Sequence, residues 1–196
     1  MPSKQVLILL LLFSSSFELI AQEADKYKLY EHTDYNFPYQ LGKPDKSWEL
    51  PDKLIEISGL SFIDEYTLAC IQDEKGNIYI FNLRTGEIER KIDFEDDGDY
   101  EGVEIIDQDA WILKSNGTLF EVKDFLKGEM PQVNKYGTEL TGKNDAEGLS
   151  YDPITNNLLI ACKGHPFVDK KKGEEFKALY NFKPDLKKLD LKPFFL

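Results

Sequence analysis

The sequence of 196 residues is poor in the groups that usually announce chemistry, with two cysteines and two histidines. Two cysteines exclude a disulfide-stapled miniprotein and a cysteine-based zinc ribbon. His32 and His165 stand alone in the chain, so no histidine pair is on offer for a metal or for acid–base catalysis. Positive charge is short as well: Lys and Arg number 24 against 36 Asp and Glu, a formal net charge of −12. An acidic chain is repelled by nucleic acid and by anionic membrane surfaces, so neither is an expected partner. Alanine is scarce, and no useful window shows the 3.6-residue period of an amphipathic helix, which argues against a helical bundle. There is no phosphate-cradling glycine loop, no nucleophile elbow and no metalloprotease helix.

What the chain does have is apolar and aromatic. Hydrophobic residues make up 41% and charged residues 31%, a folded and not a disordered composition. Thirteen phenylalanines, ten tyrosines and many Ile and Leu residues favour strands.

Residues 1–22 read as an address. Lys4 provides a positive start, Val6–Phe13 is an unbroken apolar run, and a more polar stretch ends in Leu19-Ile20-Ala21-Gln22. This is the layout of a secretory signal peptide cut after Ala21 or Gln22. The run is too short to span a bilayer of roughly 30 Å as a mature helix. Glu18 near the cut leaves an uncleaved membrane anchor as the alternative, and that anchor is the only membrane attachment expected. Export implies the periplasm, the cell envelope or secretion. It would also place Cys70 and Cys162 in an oxidising compartment. Both lie inside apolar strand-like runs, so buried free thiols are favoured over a disulfide.

After a lead-in at 23–55, a repeat organises the chain. Ile57-Ser58-Gly59-Leu60-Ser61-Phe62, Tyr100-Glu101-Gly102-Val103-Glu104-Ile105 and Ala146-Glu147-Gly148-Leu149-Ser150-Tyr151 open alike, with their glycines 43 and then 46 residues apart. Each opening leads to an Asp-containing turn and then an apolar run ending in a polar residue: Gln72, Lys114 or Lys163. Short strands of alternating polarity between Gly, Asp and Asn turns read as antiparallel meanders. Four strands per period of roughly 45 residues indicate propeller blades. The expected fold is all-β, a β-propeller with about three four-stranded blades at about 56–98, 99–143 and 144–196. A β-sandwich would not repeat its opening at this spacing.

The opening strand of a blade lies nearest the central axis, where a glycine lets neighbouring backbones approach. The residue before that glycine is Ser58, Glu101 and Glu147 in turn. Equivalent positions in successive blades point at the mouth of the channel. Carboxylates converging there repel one another unless protonated or bound to a cation. Glu101 and Glu147 are therefore candidate metal ligands, with calcium the expected hard cation. The alternative is that they latch backbone amides of adjacent blades. The acidic run Asp93, Glu95, Asp96, Asp97, Asp99, Glu101 and Glu104 fits an EF-hand pattern imperfectly, and strand precedes it, so a solvated inter-blade loop is expected. Lys163-Gly164-His165-Pro166 lies on a long loop of the third blade, where a site residue could sit. Asn116-Gly117-Thr118 matches a glycosylation acceptor formally, and an Asn-Gly turn explains it without a sugar.

The strings Glu56-Ile57-Ser58-Gly59-Leu60-Ser61, Asp99-Tyr100-Glu101-Gly102-Val103-Glu104 and Asn144-Asp145-Ala146-Glu147-Gly148-Leu149 resemble the SdiA-regulated family of bacterial envelope propellers. Leu113–Leu119 and Leu159–Gly164 add to the likeness, which covers roughly residues 48–196. The resemblance implies an exported or membrane-attached β-propeller whose biochemical role is not established. More distantly, the Glu-Gly openings look like those of calcium-dependent phytase-like esterases, gluconolactonases and paraoxonases. Only Glu101 and Glu147 carry over, and Ser58 departs from the pattern.

Three readings follow. The first is a non-enzymatic binding or interaction module, possessing a calcium site at the channel mouth and taking a small molecule or an envelope protein as partner. The second is a calcium-dependent hydrolase of esters, lactones or phosphates, and the third a structural envelope protein. Without its signal peptide the chain has room for fewer than four blades, whereas a propeller needs about four to eight to close. The expectation is a fragment of a longer protein, or closure by oligomerisation.

Overall fold

The computed structural model describes residues 42–128, 130–168 and 176–195. The proposed signal peptide, His32, most of the lead-in and part of the long third-blade loop lie outside the described residues. The chain divides between Ser47 and Trp48, and every strand among the described residues lies in the unit from Trp48 onward.

Among the described residues, twelve strands form three separate four-stranded antiparallel sheets, each a meander. The first comprises β1 (Ile57–Phe62), β2 (Thr67–Gln72), β3 (Asn77–Asn82) and β4 (Glu87–Asp93). The second comprises β5 (Tyr100–Ile106), β6 (Asp109–Lys114), β7 (Leu119–Lys123) and β8 (Gln132–Tyr136). The third comprises β9 (Ala146–Asp152), β10 (Asn157–Cys162), β11 (Ala178–Lys183) and β12 (Lys188–Leu189).

The turns form where short polar side chains can replace a ladder bond. Asp64 Oδ1 accepts from Tyr66 N at 2.8 Å, Asn82 Oδ1 from Arg84 N at 2.7 Å and Asp152 Oδ1 from Ile154 N at 2.9 Å. Asn116 Oδ1 likewise accepts from Thr118 N at 3.0 Å around the left-handed Gly117, so the acceptor-like triplet is a hairpin turn. Pro193 has no N–H to donate, and the outer strand of the third sheet is correspondingly broken. It resumes only at the bridge between Leu179 and Phe195.

The sheets stack as blades. β1 packs on β5 and β5 on β9, so the three openings are the innermost strands. Tyr100 N donates to Asp73 O and Ala146 N to Ser115 O, both at 2.8 Å, and these matched bonds tie each blade to the one before it. Apolar faces fill the two gaps. Ile71, Ile80, Val103, Ile112 and Phe120 lie between the first and second blades; Trp111, Leu113, Leu158, Ile160 and Phe182 lie between the second and third. A third cluster covers part of the first blade's leading face, where Leu54 from the 3-10 turn 52–54 packs with Cys70, Tyr79 and Phe81. The Trp48 indole donates to Leu83 O at 2.7 Å beside it.

The row of blades does not close among the described residues. Val103 is 2% exposed because the first blade covers it, whereas Leu60, its equivalent on that blade, is 55% exposed. Cys70 and Cys162 are free and buried in different clusters, and burial pushes both thiols up to about 11.

Candidate functional site at the inner strand ends

Each inner strand begins with the same irregularity. The register skips between Ile57 and Gly59, between Tyr100 and Gly102, and between Ala146 and Gly148. The extra residue is Ser58, Glu101 or Glu147, the position before each opening glycine. A β-bulge leaves one residue outside the ladder and re-aims its side chain. Alternation along the strand therefore does not determine where these three side chains go.

The glycines make the arrangement possible. A Cβ on Gly59 would lie 3.0 Å from Val103 N and 3.1 Å from Gly102 Cα, and one on Gly102 would lie 2.7 Å from Leu149 Cβ. The first two inner strands thus pack their glycines against the backbone or Cβ of the next, bringing successive bulges close together, whereas Gly148 meets Ala161 of its own blade.

Glu101 is the centre of the resulting cluster. Burial pushes its carboxyl up to about 7, aided by a hydrogen bond with the Asp99 carboxyl and by the charges of Asp99, Glu147 and Asp73. A bond between two carboxyls needs a proton on one of them. The Ser115 hydroxyl also donates to Asp99 Oδ2, so Asp99 joins Glu101 to the start of the next turn. Glu147 is held differently, with Lys163 Nζ 2.6 Å from its Oε1 and 3.7 Å from Asp145 Oδ2. Two buried oxygens nearby, Ser58 Oγ and Asp73 Oδ1, have no hydrogen-bond partner.

The backbone-latch alternative is not what forms, because among the described residues neither Glu101 nor Glu147 accepts a backbone N–H. No three His, Cys, Asp or Glu side chains among them form a ready-made metal-ion group. The acids of the run from Asp93 are answered by separate lysines. Asp93 ends a strand and pairs with Lys91 at 2.7 Å, Asp97 pairs with Lys75 at 2.5 Å, and Glu95 stands 3.8 Å from Lys135.

The polar residues ending each second strand have diverged. Lys163 pairs with Glu147, Lys114 Nζ lies 5.0 Å over the Tyr100 ring, and Gln72 Oε1 accepts from Lys75 N. His165 lines a basic pocket with Lys143, Lys163 and Lys177, its Nδ1 3.0 Å from Phe167 O.

Asp99 and Asp73 were not singled out as partners of Glu101 from the sequence. A signal for Asp99 was present: an acidic residue, Glu56, Asp99 or Asp145, stands three places before each opening glycine. Asp73 has no such repeat, since its equivalents are Ser115 and Gly164.

These blades and this inner-strand arrangement define a β-propeller. No family model matches the sequence, and no curated protein matches it. Among solved structures it is similar to the β-propeller domain of Cps50 (Swd1) from Myceliophteria thermophila, with 13% identity and a TM-score of 0.44. The similarity covers 69% of this chain and 42% of that one.

Proposed function

We propose that this protein is an exported β-propeller of the SdiA-regulated type that serves as a binding module and not as an enzyme, with a calcium-binding centre at Glu101 and Glu147. One observation carries the reading. A half-buried carboxyl, pushed up to about 7, is gathered with Asp99, Glu147 and Asp73 beside two orphaned buried oxygens, Ser58 Oγ and Asp73 Oδ1. Hard oxygen donors of this kind suit calcium. The cation would take the place of the proton on Glu101 and relieve the same repulsion. Lys163 already answers part of the charge of Glu147, and Asp99 and Asp73 would add oxygen donors beside Glu101 and Glu147.

The test is thermal unfolding with calcium and with chelator near pH 8. Calcium at about a hundred times its Kd stabilises by about 2.7 kcal/mol, or about 8 °C for a domain of this size. Glu101→Gln is expected to abolish the shift. Equal midpoints with calcium and chelator would overturn the calcium reading.

Without calcium, the sign of the pH dependence follows from Glu101. The fold binds this proton more tightly than an ordinary glutamate, which titrates at 4.5. The contribution to stability is complete below 4.5 and is lost as pH rises through about 7. Glu101→Gln should flatten that fall. Melts of both proteins across this range check it.

Export rests on the layout of residues 1–22 and on the family resemblance. A fusion of residues 1–26 to alkaline phosphatase, which is active only outside the cytoplasm, is expected to give activity. An inactive, cytoplasmic fusion would sink it.

A further inference from the structure

At the other end of the same strands, the second and third blades enclose a groove of about 380 Å³. The Trp111 indole lines it, and Tyr136 stacks on that indole with 5.7 Å between centroids and 22° between planes, while the Phe182 ring lies 5.9 Å from Trp111. Beside the rings is Glu121, only 4% exposed. Its oxygens accept from Tyr136 Oη at 2.6 Å, Asn134 Nδ2 at 3.0 Å and Lys123 Nζ at 3.2 Å. Burial pushes its carboxyl up, and these bonds together with the Lys187 charge outweigh burial and hold it below the usual range. Glu121 is therefore a fixed negative charge next to two aromatic faces.

That seat already holds an ammonium. Lys187 Nζ lies 4.8 Å from the Tyr136 centroid, 5.3 Å from the Trp111 centroid and 3.5 Å from each Glu121 oxygen. Two ring faces and a buried carboxylate are the chemistry by which proteins bind alkylated ammonium groups. Lys187 arrives on the turn after Pro184, with φ of +53, a conformation ordinarily left to glycine or asparagine. Two other non-glycine residues in that conformation, Asp107 and Asn156, line the same groove.

The groove charge suits a cation. Lys123 is taken up by Asp109 at 2.5 Å and Lys187 by Glu121, while Asp107 and Asp185 have no salt bridge among the described residues. The lining is left net negative, which attracts cations and disfavours anions.

We infer that Trp111, Tyr136 and Glu121 form a recognition site for a small quaternary-ammonium compound, with Lys187 as a displaceable occupant of the chain's own. The site is independent of the Glu101 cluster. While Lys187 fills the seat, apparent affinity is reduced by the fraction of time that the seat is open.

Choline titrated into the chain and into Lys187→Ala, followed by calorimetry and tryptophan fluorescence, tests this. The variant is expected to bind choline about tenfold more tightly than the unmodified chain, since removing the occupant removes that reduction. The neutral isostere 3,3-dimethylbutanol is expected not to bind, and adding Glu121→Gln should abolish choline binding. Lys187→Met, which keeps the stem and removes the charge, serves should the alanine variant unfold. Equal affinity before and after removal of Lys187, no choline binding in folded variants, or equal binding of the alcohol would each overturn the proposal. Lys187 would then be only a clamp between blades.

Discussion

Tyr100→Ala is expected to destabilise the fold by about 4 kcal/mol, within the range for removing a buried aromatic ring. Tyr100 is fully buried where the second blade begins. Its ring meets Phe94 edge-on at 5.1 Å and Phe120 at 6.0 Å, and its hydroxyl donates to Asp96 O at 2.6 Å. Its backbone N–H is also the tie to Asp73. Truncation leaves a cavity between blades and an acceptor without its donor. Tyr100→Phe isolates the hydrogen bond and should cost about 1 kcal/mol. Urea unfolding of the three proteins measures both differences. A loss below about 1.5 kcal/mol for Tyr100→Ala would mean that this junction does not hold the first two blades together.

Gly102→Ala is expected to cost about 3 kcal/mol, at the upper end for overpacking. The added Cβ would lie 2.7 Å from Leu149 Cβ and 3.2 Å from Leu149 N. Neither neighbour is the far end of a flexible side chain, so relief requires the second and third blades to separate. The substitution should therefore also make the third blade more sensitive to protease. Gly142→Ala is the control, because nothing lies within 4 Å of its Cβ and such surface changes stay within about 0.5 kcal/mol. Urea midpoints and limited proteolysis read the pair. Equal stability of Gly102→Ala and Gly142→Ala would refute close inter-blade packing at this glycine.

Much of the fold was legible in the chain. About three four-stranded blades were expected, and three four-stranded antiparallel meanders form among the described residues. The turn residues are where hairpins close. The outer strand of the third blade was less legible, because Pro193 interrupts it and the chain re-pairs with Leu179 beyond the break.

The sites were legible only in part. Glu101 and Glu147 were visible through the repeated opening, and Glu101 does feel the Glu147 charge. The bulges that aim them were not visible, since an extra residue in one strand is defined only against its partner. The seat around Lys187 gave no signal at all, because Lys187 and Glu121 are 66 residues apart and neither belongs to the repeat.

By itself the sequence determined the strands, their meander order and the number of sheets. Alternation, turn residues and a regular period act between neighbours in the chain, where pairing is local. Only the tertiary structure decided which carboxyl holds a proton, which lysine answers which acid and where aromatic rings face an ammonium. Those properties arise where side chains from adjoining blades are brought together out of water, and burial and proximity set them.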